Sequence, residues 1–202
     1  IGVVCAFLAK TKVRFHSKKL DILRKQAQNI RVDTVVRRDG GMVRQQIELL
    51  PRTRENAELY FYKTQDEEIC AVLPSANKTV EEALTAYDKA SLPDATSFGR
   101  SIYWEGRYIG DIWCYCINRD ETPNAMLSYC IFEKEYWGRG MATAAVKLFL
   151  GQIRERLSLR SVGAFTYANN ESSIRVLEKN GFVCKERFVE DGRESAYYER
   201  NF

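Results

Sequence analysis

The fold is decided by the stretch Tyr136-Trp137-Gly138-Arg139-Gly140-Met141-Ala142-Thr143. An apolar run precedes it and an amphipathic helix pattern follows it, so the chain passes from a strand through a tight turn into a helix. Gly138 and Gly140 carry no side chains, which lets successive backbone amides at the positive end of the helix dipole converge on a phosphate group. The residues therefore favour an anion site here, and an ordinary tight turn is the alternative.

The residues around this loop predict alternating strands and helices. After the loop, a helix with one apolar stripe is expected to pack on the sheet; the stripe is Ala142, Ala145, Val146, Phe149, Ile153 and Leu157. Asn169-Asn170 predicts a turn and an N-cap for a short helix over 171–179, and Asn180-Gly181 predicts its end. The strands predicted in this half of the chain are 125–132, 161–167, 182–189 and 195–200.

The residues before the loop predict two capped helices and further strands. Thr53 is the expected N-cap of a helix that runs to Lys63, and Thr79-Val80-Glu81-Glu82 is a capping box for a helix that ends at about Ala90. The segment 65–73 fits either a short helix or a turn. The strands predicted in this half are 42–50, 97–104 and 108–118.

The first 41 residues differ in charge from the rest of the chain. They hold ten Lys and Arg against three Asp, a net charge of +7, whereas residues 42–202 hold 21 against 24 Asp and Glu, a net charge of −3. A basic amphipathic helix is predicted over 17–30, followed by a strand over 31–38 and a hairpin turn at Asp39-Gly40. The charge is typical of a solvated helix that pads the core or a neighbouring subunit, which is the favoured interpretation. An arm that contacts RNA, the ribosome or an acidic protein face is the alternative.

Composition excludes several kinds of chemistry. The chain has 202 residues, 45% of them hydrophobic, which is enough for one sizeable core with an appendage. No apolar run in the sequence approaches the roughly 20 residues of a membrane helix, and the short apolar start lacks the basic segment of a signal peptide. Six scattered cysteines and the lone His16 argue against a metal site, a disulfide framework and a histidine-activated nucleophile. We therefore expect reduced thiols, no membrane, no metal and a cytoplasmic location.

Two motifs give residues 42–202 a resemblance to a known family. Tyr136-Trp137-Gly138-Arg139-Gly140-Met141-Ala142-Thr143 resembles the pattern Y-W-G-x-G-x-A-T. Asn170-Glu171-Ser172-Ser173-Ile174-Arg175-Val176-Leu177-Glu178-Lys179-Asn180-Gly181-Phe182 resembles N-x-x-S-x-x-x-L-E-K-x-G-F. Together they resemble the GCN5-related N-acetyltransferase (GNAT) superfamily, in its RimJ/RimL-like branch. Residues 1–41 have no counterpart and are expected to form a basic N-terminal extension.

The resemblance implies an α+β fold with a central, mixed, mostly antiparallel twisted sheet of about six to seven strands and helices on both faces. It also implies acetyl-CoA as co-substrate, with the pyrophosphate bound by backbone amides of the glycine loop. Arg139 would add a charge-assisted contact to phosphate, or is merely solvated. The cofactor-binding residues expected from the resemblance are Cys130, Ile131, Phe132, Trp137, Gly138, Arg139, Gly140, Met141, Ala142, Thr143, Asn170 and Ser173.

The resemblance also places a catalytic hydroxyl, that of Ser173, near the thioester sulfur, and capping of the helix is the alternative role for this residue. A base that takes a proton from the amine is harder to assign. Glu190 is the first choice, Glu105 and Tyr129 are alternatives, and water can also serve. In the last predicted strand, Tyr197 or Tyr198 could face the site, and packing in the core is the alternative.

These features predict an N-acetyltransferase that moves an acetyl group directly to a primary amine, either a protein N-terminus or a small amine. The alternative is a catalytically silent CoA-binding module that docks on RNA or a protein partner through the basic extension. A homodimer is a further expectation. The sequence departs from the branch at Ala144, where relatives commonly carry Glu, and this departure bears on the acceptor more than on the fold.

Overall fold

The structure is a computed structural model, and it describes residues 30–38, 41–73 and 77–202. The strands of this part of the chain are β1 (Ile30–Arg38), β2 (Gly41–Pro51), β3 (Phe98–Trp104), β4 (Arg107–Asn118), β5 (Asn124–Ile131), β6 (Ser161–Tyr167), β7 (Val183–Glu190) and β8 (Arg193–Asn201). The helices are α1 (Arg54–Lys63), α2 (Glu67–Cys70), α3 (Val80–Ala90), α4 (Met141–Leu157) and α5 (Glu171–Lys179). In these described ranges, no helix is both long and apolar enough to cross a bilayer.

All the strands join one mixed sheet in the order β1-β2-β3-β4-β5-β6-β8-β7. Neighbouring strands are antiparallel except β5 and β6, which are parallel. The sheet has helices on both sides, so the α+β architecture predicted from the sequence is confirmed. Strands β2 to β8 are the seven strands expected of the domain, and β1 adds an eighth.

Strand β1 lies where the sequence predicts a strand, and the predicted turn at Asp39-Gly40 lies outside the described residues. Strand β1 pairs with β2 in a register that places Arg38 opposite Gly41 and Ile30 opposite Leu49. The predicted helix over 17–30 lies outside the described residues, except for Ile30, which is the first residue of β1.

Side-chain caps fix the starts of the helices before the loop. Thr53 accepts a hydrogen bond from the Asn56 backbone amide at 3.1 Å, and Thr79 does the same for Glu82 at 3.2 Å. Both helices therefore begin and end where the sequence predicts. The ambiguous segment 65–73 contains the four-residue helix α2, whose N-cap is Asp66.

The sheet separates two sets of packed side chains. We call face A the side on which α4 and α5 lie, and face B the side on which α1 and α2 lie. On face A, the apolar stripe of α4 is buried against Ile112, Leu127 and other sheet residues in the main core. On face B, Ile69 of α2 packs on Cys130 and Phe132 in a smaller cluster. Alternate residues of β5 therefore point to opposite faces.

Strands β5 and β6 pair over a short length only. Their parallel register runs from Asn124–Ser161 to Met126–Gly163 and goes no further. Beyond that point β5 stays paired with β4, and β6 stays paired with β8 up to Tyr167 and Ser195. The two strands consequently part and leave a gap in the sheet next to the start of α4.

Candidate active site

The gap between β5 and β6 opens into a cleft of about 380 Å³, which also reaches Glu68 of α2 and Val72 just after it. Its walls come from the end of β5, the glycine loop with the first turn of α4, and the exposed side of α5. The residues of the glycine loop and α4 that line it are Trp137, Gly138, Gly140, Met141, Ala142 and Thr143. This is the largest set of sequence-predicted site residues that the structure brings together.

The glycine loop presents backbone rather than side chains to the cleft. Gly138 and Gly140 have φ angles of +71° and +82°, in the left-handed region that glycine adopts without strain. Gly140 is the N-cap of α4 and offers no side-chain cap, so the first amides of this 17-residue helix remain available at the positive end of its dipole. Such an end fits an anionic group, as expected for a pyrophosphate.

The end of β5 offers backbone groups to the gap. The Phe132 amide donates to the Ile109 carbonyl at 3.0 Å, which shows that Phe132 turns its backbone groups towards β4. Since this direction alternates along a strand, Tyr129 and Ile131 turn theirs towards the gap. The Ile131 carbonyl accepts a hydrogen bond from the Trp137 indole at 2.7 Å, which ties the loop to the strand.

Tyr129 and Ser173 form a buried hydroxyl pair beneath the cleft. Tyr129 lines the cleft, and its phenolic oxygen lies 3.0 Å from Ser173 Oγ. Asn170 is the N-cap of α5, because its Oδ1 accepts from the Ser173 amide at 3.1 Å. The Ser173 hydroxyl is therefore not the cap and remains free to bond Tyr129. Burial raises the pKa of Tyr129 above its ordinary value, although the bond to Ser173 acts in the opposite direction.

Two cations of α5 line the cleft, and sequence reasoning missed them. Arg175 and Lys179 lie one helical turn apart on the side of α5 that faces the glycine loop. Arg175 also pairs with Glu171, with 3.0 Å between Nη1 and Oε2. The i, i+4 spacing is a signal for a shared helix face, but the sequence does not say which way that face points. The other residues that it missed are Glu68, Val72, Tyr136, Ser172 and Val176.

Several sequence-predicted residues lie elsewhere. The side chains of Cys130 and Phe132 point to face B, where burial raises the pKa of the Cys130 thiol to about 12. Arg139 is exposed and lies outside the set that lines the cleft. Tyr198 is buried in the main core on face A, whereas Tyr197 points to face B.

Of the three candidate bases, only Tyr129 lines the cleft, and the two carboxylates lie away from its walls. Glu190 is the last residue of β7, opposite Arg193, and Glu105 lies in the exposed turn between β3 and β4. Ala144, where the family commonly carries Glu, is partly buried against the main core. Within the described ranges, no cluster of His, Cys, Asp and Glu is arranged to hold a metal ion.

Comparisons with known proteins agree with this architecture. A family model for the acetyltransferase (GNAT) domain matches residues 46–183. The Probable N-acetyltransferase YjcK of Bacillus subtilis (strain 168) is 33% identical over 85 residues, which are 42% of this chain and 46% of that protein. The chain thus spans about half the length of the curated relative it matches.

Solved structures share the fold at low sequence identity. Spermidine N-acetyltransferase from Vibrio cholerae, in complex with CoA and spermine, has a TM-score of 0.69 and 16% identity, over 77% of this chain and 95% of that one. RimL, a ribosomal alpha-N-protein acetyltransferase in complex with coenzyme A, has a TM-score of 0.66 and 15% identity, over 77% and 93%. These similarities establish a common fold, and the two named proteins were solved with the coenzyme bound.

Proposed function

Because the chain belongs to the acetyltransferase (GNAT) family, whose model matches residues 46–183, we propose that it transfers an acetyl group from acetyl-CoA to a primary amine. The observation that carries the proposal is the gap between β5 and β6, which opens directly beside the unblocked start of α4. A strand end with free backbone groups and a helix end that attracts phosphate are the two features that coenzyme A requires.

The residues present fit the coenzyme along its length. The pyrophosphate lies on the amides from Gly138 to Thr143, and Arg175 and Lys179 supply positive charge at the same cleft. The backbone groups of Tyr129 and Ile131 hydrogen-bond the pantetheine arm and the acetyl carbonyl. This assignment differs from the sequence-based expectation, since it adds the two cations and leaves out Cys130 and Phe132, whose side chains lie on face B and whose backbone groups face β4.

We assign Tyr129 as the proton donor to the departing thiolate. Tyr129 is among the residues that line the cleft and Ser173 is not, although both are almost fully buried, at 2% and 1% exposed. Because burial raises the pKa of Tyr129, the phenol is protonated at neutral pH, so it has a proton to give and does not serve as the base. Ser173 acts through the 3.0 Å bond as a positioning residue that can pass a proton back to the phenol.

The transfer is direct and balances without another reactant. The nitrogen of the neutral amine attacks the thioester carbonyl, the C–N bond forms and the C–S bond breaks. The proton that the nitrogen loses goes to water, and the thiolate takes one from Tyr129. The acceptor is a protein N-terminal amine, as the RimJ/RimL-like motifs favour, or a small amine.

Thiol release from acetyl-CoA across a panel of small amines and N-terminal peptides tests the proposal. We expect release with at least one acceptor and acetylation of its amine by mass spectrometry. Tight CoA binding with no release across the panel would overturn the proposal in favour of a catalytically silent CoA-binding module.

A cytoplasmic location fits the free thiols of the described cysteines. The homodimer and the contact of residues 1–41 with RNA or the ribosome stay predictions.

A further inference from the structure

A cavity of about 200 Å³ lies where β2 ends and β3 begins, and it shares no lining residue with the cleft beside the glycine loop. Residues from the end of α3, the start of β3 and the segment after β2 line it. Two cations belong to this lining, and no Asp or Glu of the described residues does. The charged and hydroxyl-bearing residues that line the cavity are Arg52, Arg100, Tyr87, Ser91 and Ser97.

Arg52 is fixed in place, and a carboxylate balances its charge. The Arg52 Nε lies 2.9 Å from Oδ2 of Asp111, a fully buried residue of β4. A Cβ atom at Gly99 would come 3.1 Å from Arg52 Cδ, so the arginine side chain packs across β3 at its glycine. The Tyr87 phenol donates to the Arg52 carbonyl at 3.2 Å. Because Asp111 supplies one negative charge, Arg52 by itself does not require an anion.

Arg100 has no carboxylate partner. Its Nε donates to Oε1 of Gln152 in α4 at 3.3 Å, and its guanidinium carbon lies 4.5 Å from the centre of the Phe98 ring. The Arg156 guanidinium lies 5.0 Å from the centre of the same ring, so two cations are close together. Burial, together with repulsion from Arg156, lowers the pKa of Arg100 to about 10. None of the ion pairs within the described residues includes Arg100 or Arg156.

Gln152 places an unpaired donor beside Arg100. It is 7% exposed, and its Nε2 has no hydrogen-bond partner among the described residues. Because Oε1 of the same amide accepts from Arg100, Nε2 lies in the immediate neighbourhood of that guanidinium group. A buried N–H group without an acceptor costs stability, so such a group is typical of a place where a water or an ion binds.

An anion satisfies both groups, whereas a water satisfies only one. The amide N–H of Gln152 needs an acceptor, and the guanidinium of Arg100 needs a negative charge. The last turn of a helix favours cations, which accounts for Arg156 at the end of α4. Arg100 belongs to β3 and gains nothing from this helix end. A water bound to Gln152 would leave the charge of Arg100 unbalanced.

We propose that a phosphate group binds at Arg100, where the cavity meets Gln152, and that Arg156 and Arg52 supply further positive charge. Guanidinium groups pair with phosphate oxygens through two parallel hydrogen bonds. A phosphate monoester carries about two negative charges at neutral pH, which match the two unpaired cations Arg100 and Arg156.

The coenzyme and residues 1–29 do not supply this phosphate. Gln152 follows Thr143 of the glycine loop by roughly 14 Å along the axis of α4, so the ligand binds in addition to the coenzyme. Residues 1–29 contain seven Lys and Arg against the single Asp21, and this charge is repelled by the arginines.

Calorimetric titration of the CoA-saturated protein with inorganic phosphate and with phenyl phosphate tests the proposal. Coenzyme A fills the cleft, whose cations would otherwise bind phosphate as well. We expect at least one of the two ligands to bind with a Kd of about 1 mM or below. Binding of phenyl phosphate that is about tenfold tighter would identify a phosphate ester whose organic part packs in the cavity, and equal affinity would identify the free anion. Absence of binding by both would overturn the inference.

Arg100→Gln removes the charge but keeps a side chain that can donate a hydrogen bond. We expect it to weaken phosphate binding by at least about tenfold and to leave KM for acetyl-CoA unchanged, because the cleft is far from Arg100. Arg154→Gln is the control, since Arg154 is an exposed arginine of the same helix. Equal weakening by the two substitutions would show an effect of net charge and overturn the site.

Gln152→Glu gives a second variant that does not depend on losing Arg100. Its carboxylate replaces the anion beside Arg100, so we expect a higher Tm without phosphate and at least about tenfold weaker phosphate binding. Phosphate stabilises proteins in general, so the rise in Tm that it causes is compared between the wild type and both variants at one concentration. A rise of equal size in all three would be a general salt effect and would overturn the inference.

Discussion

Tyr129 is the residue at which strand, helix and cleft meet, and its phenol tests the mechanism. Tyr129→Phe keeps the ring in its buried position but removes the proton that the thiolate needs. We expect kcat to fall by about 10- to 100-fold with KM for acetyl-CoA nearly unchanged. Since the folded-state pKa of Tyr129 is raised above about 10, the wild-type rate should show no loss from ionisation of this residue below that pH. A pH–rate profile between pH 6 and 10 checks both statements.

The hydroxyl pair predicts non-additive kinetics. Ser173→Ala should lower kcat less than Tyr129→Phe does, and adding it to Tyr129→Phe should have little further effect, because the two groups share one 3.0 Å bond. Tyr198→Phe, at a tyrosine 2% exposed in the core, is the control for loss of a buried phenol. If Ser173→Ala abolishes activity while Tyr129→Phe keeps it, then Ser173 itself is the donor.

The two cations of α5 make a second prediction for single residues. Lys179→Gln and Arg175→Gln should each raise KM for acetyl-CoA by about threefold to tenfold and leave kcat unchanged, since they bind phosphate rather than the reacting atoms. The rise in KM should be smaller for Arg175→Gln, because Arg175 already forms an ion pair with Glu171 at 3.0 Å and so contributes less charge to the phosphate. Salt should weaken both contributions, as the groups are exposed. Lys147, exposed on α4 outside the cleft, is the control, and Lys147→Gln should leave KM for acetyl-CoA unchanged. An equal rise in KM for Lys147→Gln would show that the net charge of the protein, rather than phosphate binding by α5, causes the effect.

Two glycines of α4 make a matched pair, because Gly140 is the N-cap at the start of the helix and Gly151 lies inside it. Gly140 has a φ angle of +82° at the N-cap, so Gly140→Ala should cost about 1 kcal/mol of stability from backbone strain, although nothing lies within 4 Å of the new Cβ. Gly151 lies exposed inside the helix, and Gly151→Ala should stabilise by about 0.5–1 kcal/mol. Urea denaturation measures both changes.

Acetyl-CoA binding separates the two glycines further. The Cβ atom of Gly140→Ala enters space that lines the cleft, so affinity for acetyl-CoA should fall by about tenfold, whereas Gly151→Ala should leave it unchanged. Calorimetric titration of each variant gives the comparison. Stabilisation by both substitutions would contradict the left-handed conformation at Gly140.

The elements could be predicted from the sequence because their signals are local. Caps at Thr53 and Thr79 and the apolar stripe of α4 each lie within a few residues, and each element formed where they indicate. The parting of β5 and β6 has no such signal. It depends on the pairing of β5 with β6, two strands that are about thirty residues apart in sequence.

The part of the candidate site that the backbone forms could be predicted from the sequence. The parts where side chains from several elements come together could not. The glycine loop could be read from two glycines before a helix pattern. The direction of Arg175 and Lys179 and the contact of Tyr129 with Ser173 depend on how α5 packs against the sheet. Tertiary packing decides these contacts, and no local pattern encodes it.

At the scale of the whole molecule, the pairing of β1 with β2 predicts where the domain begins. Strand β1 pairs with β2 along its whole length, but β2 is held from its other side by β3, and Ile47 and Leu49 of β2 are fully buried. Removing residues 1–40 should therefore leave a folded sheet of seven strands with a normal kcat. Loss of β1 should lower Tm by roughly 2–4 °C, as loss of about 1 kcal/mol does in a domain of this size.

The same truncation has a second consequence, because it turns β2 into an edge strand. Unpaired backbone groups along Gly41–Pro51 would then be open to pairing with another chain, so the truncated protein should associate as its concentration rises. Light scattering after size-exclusion chromatography measures this, and a lysine at Gln45→Lys is expected to suppress it by placing charge on the new edge. Loss of folding or of acetyl transfer on truncation would contradict a domain that begins at residue 42 and would make β1 an integral strand.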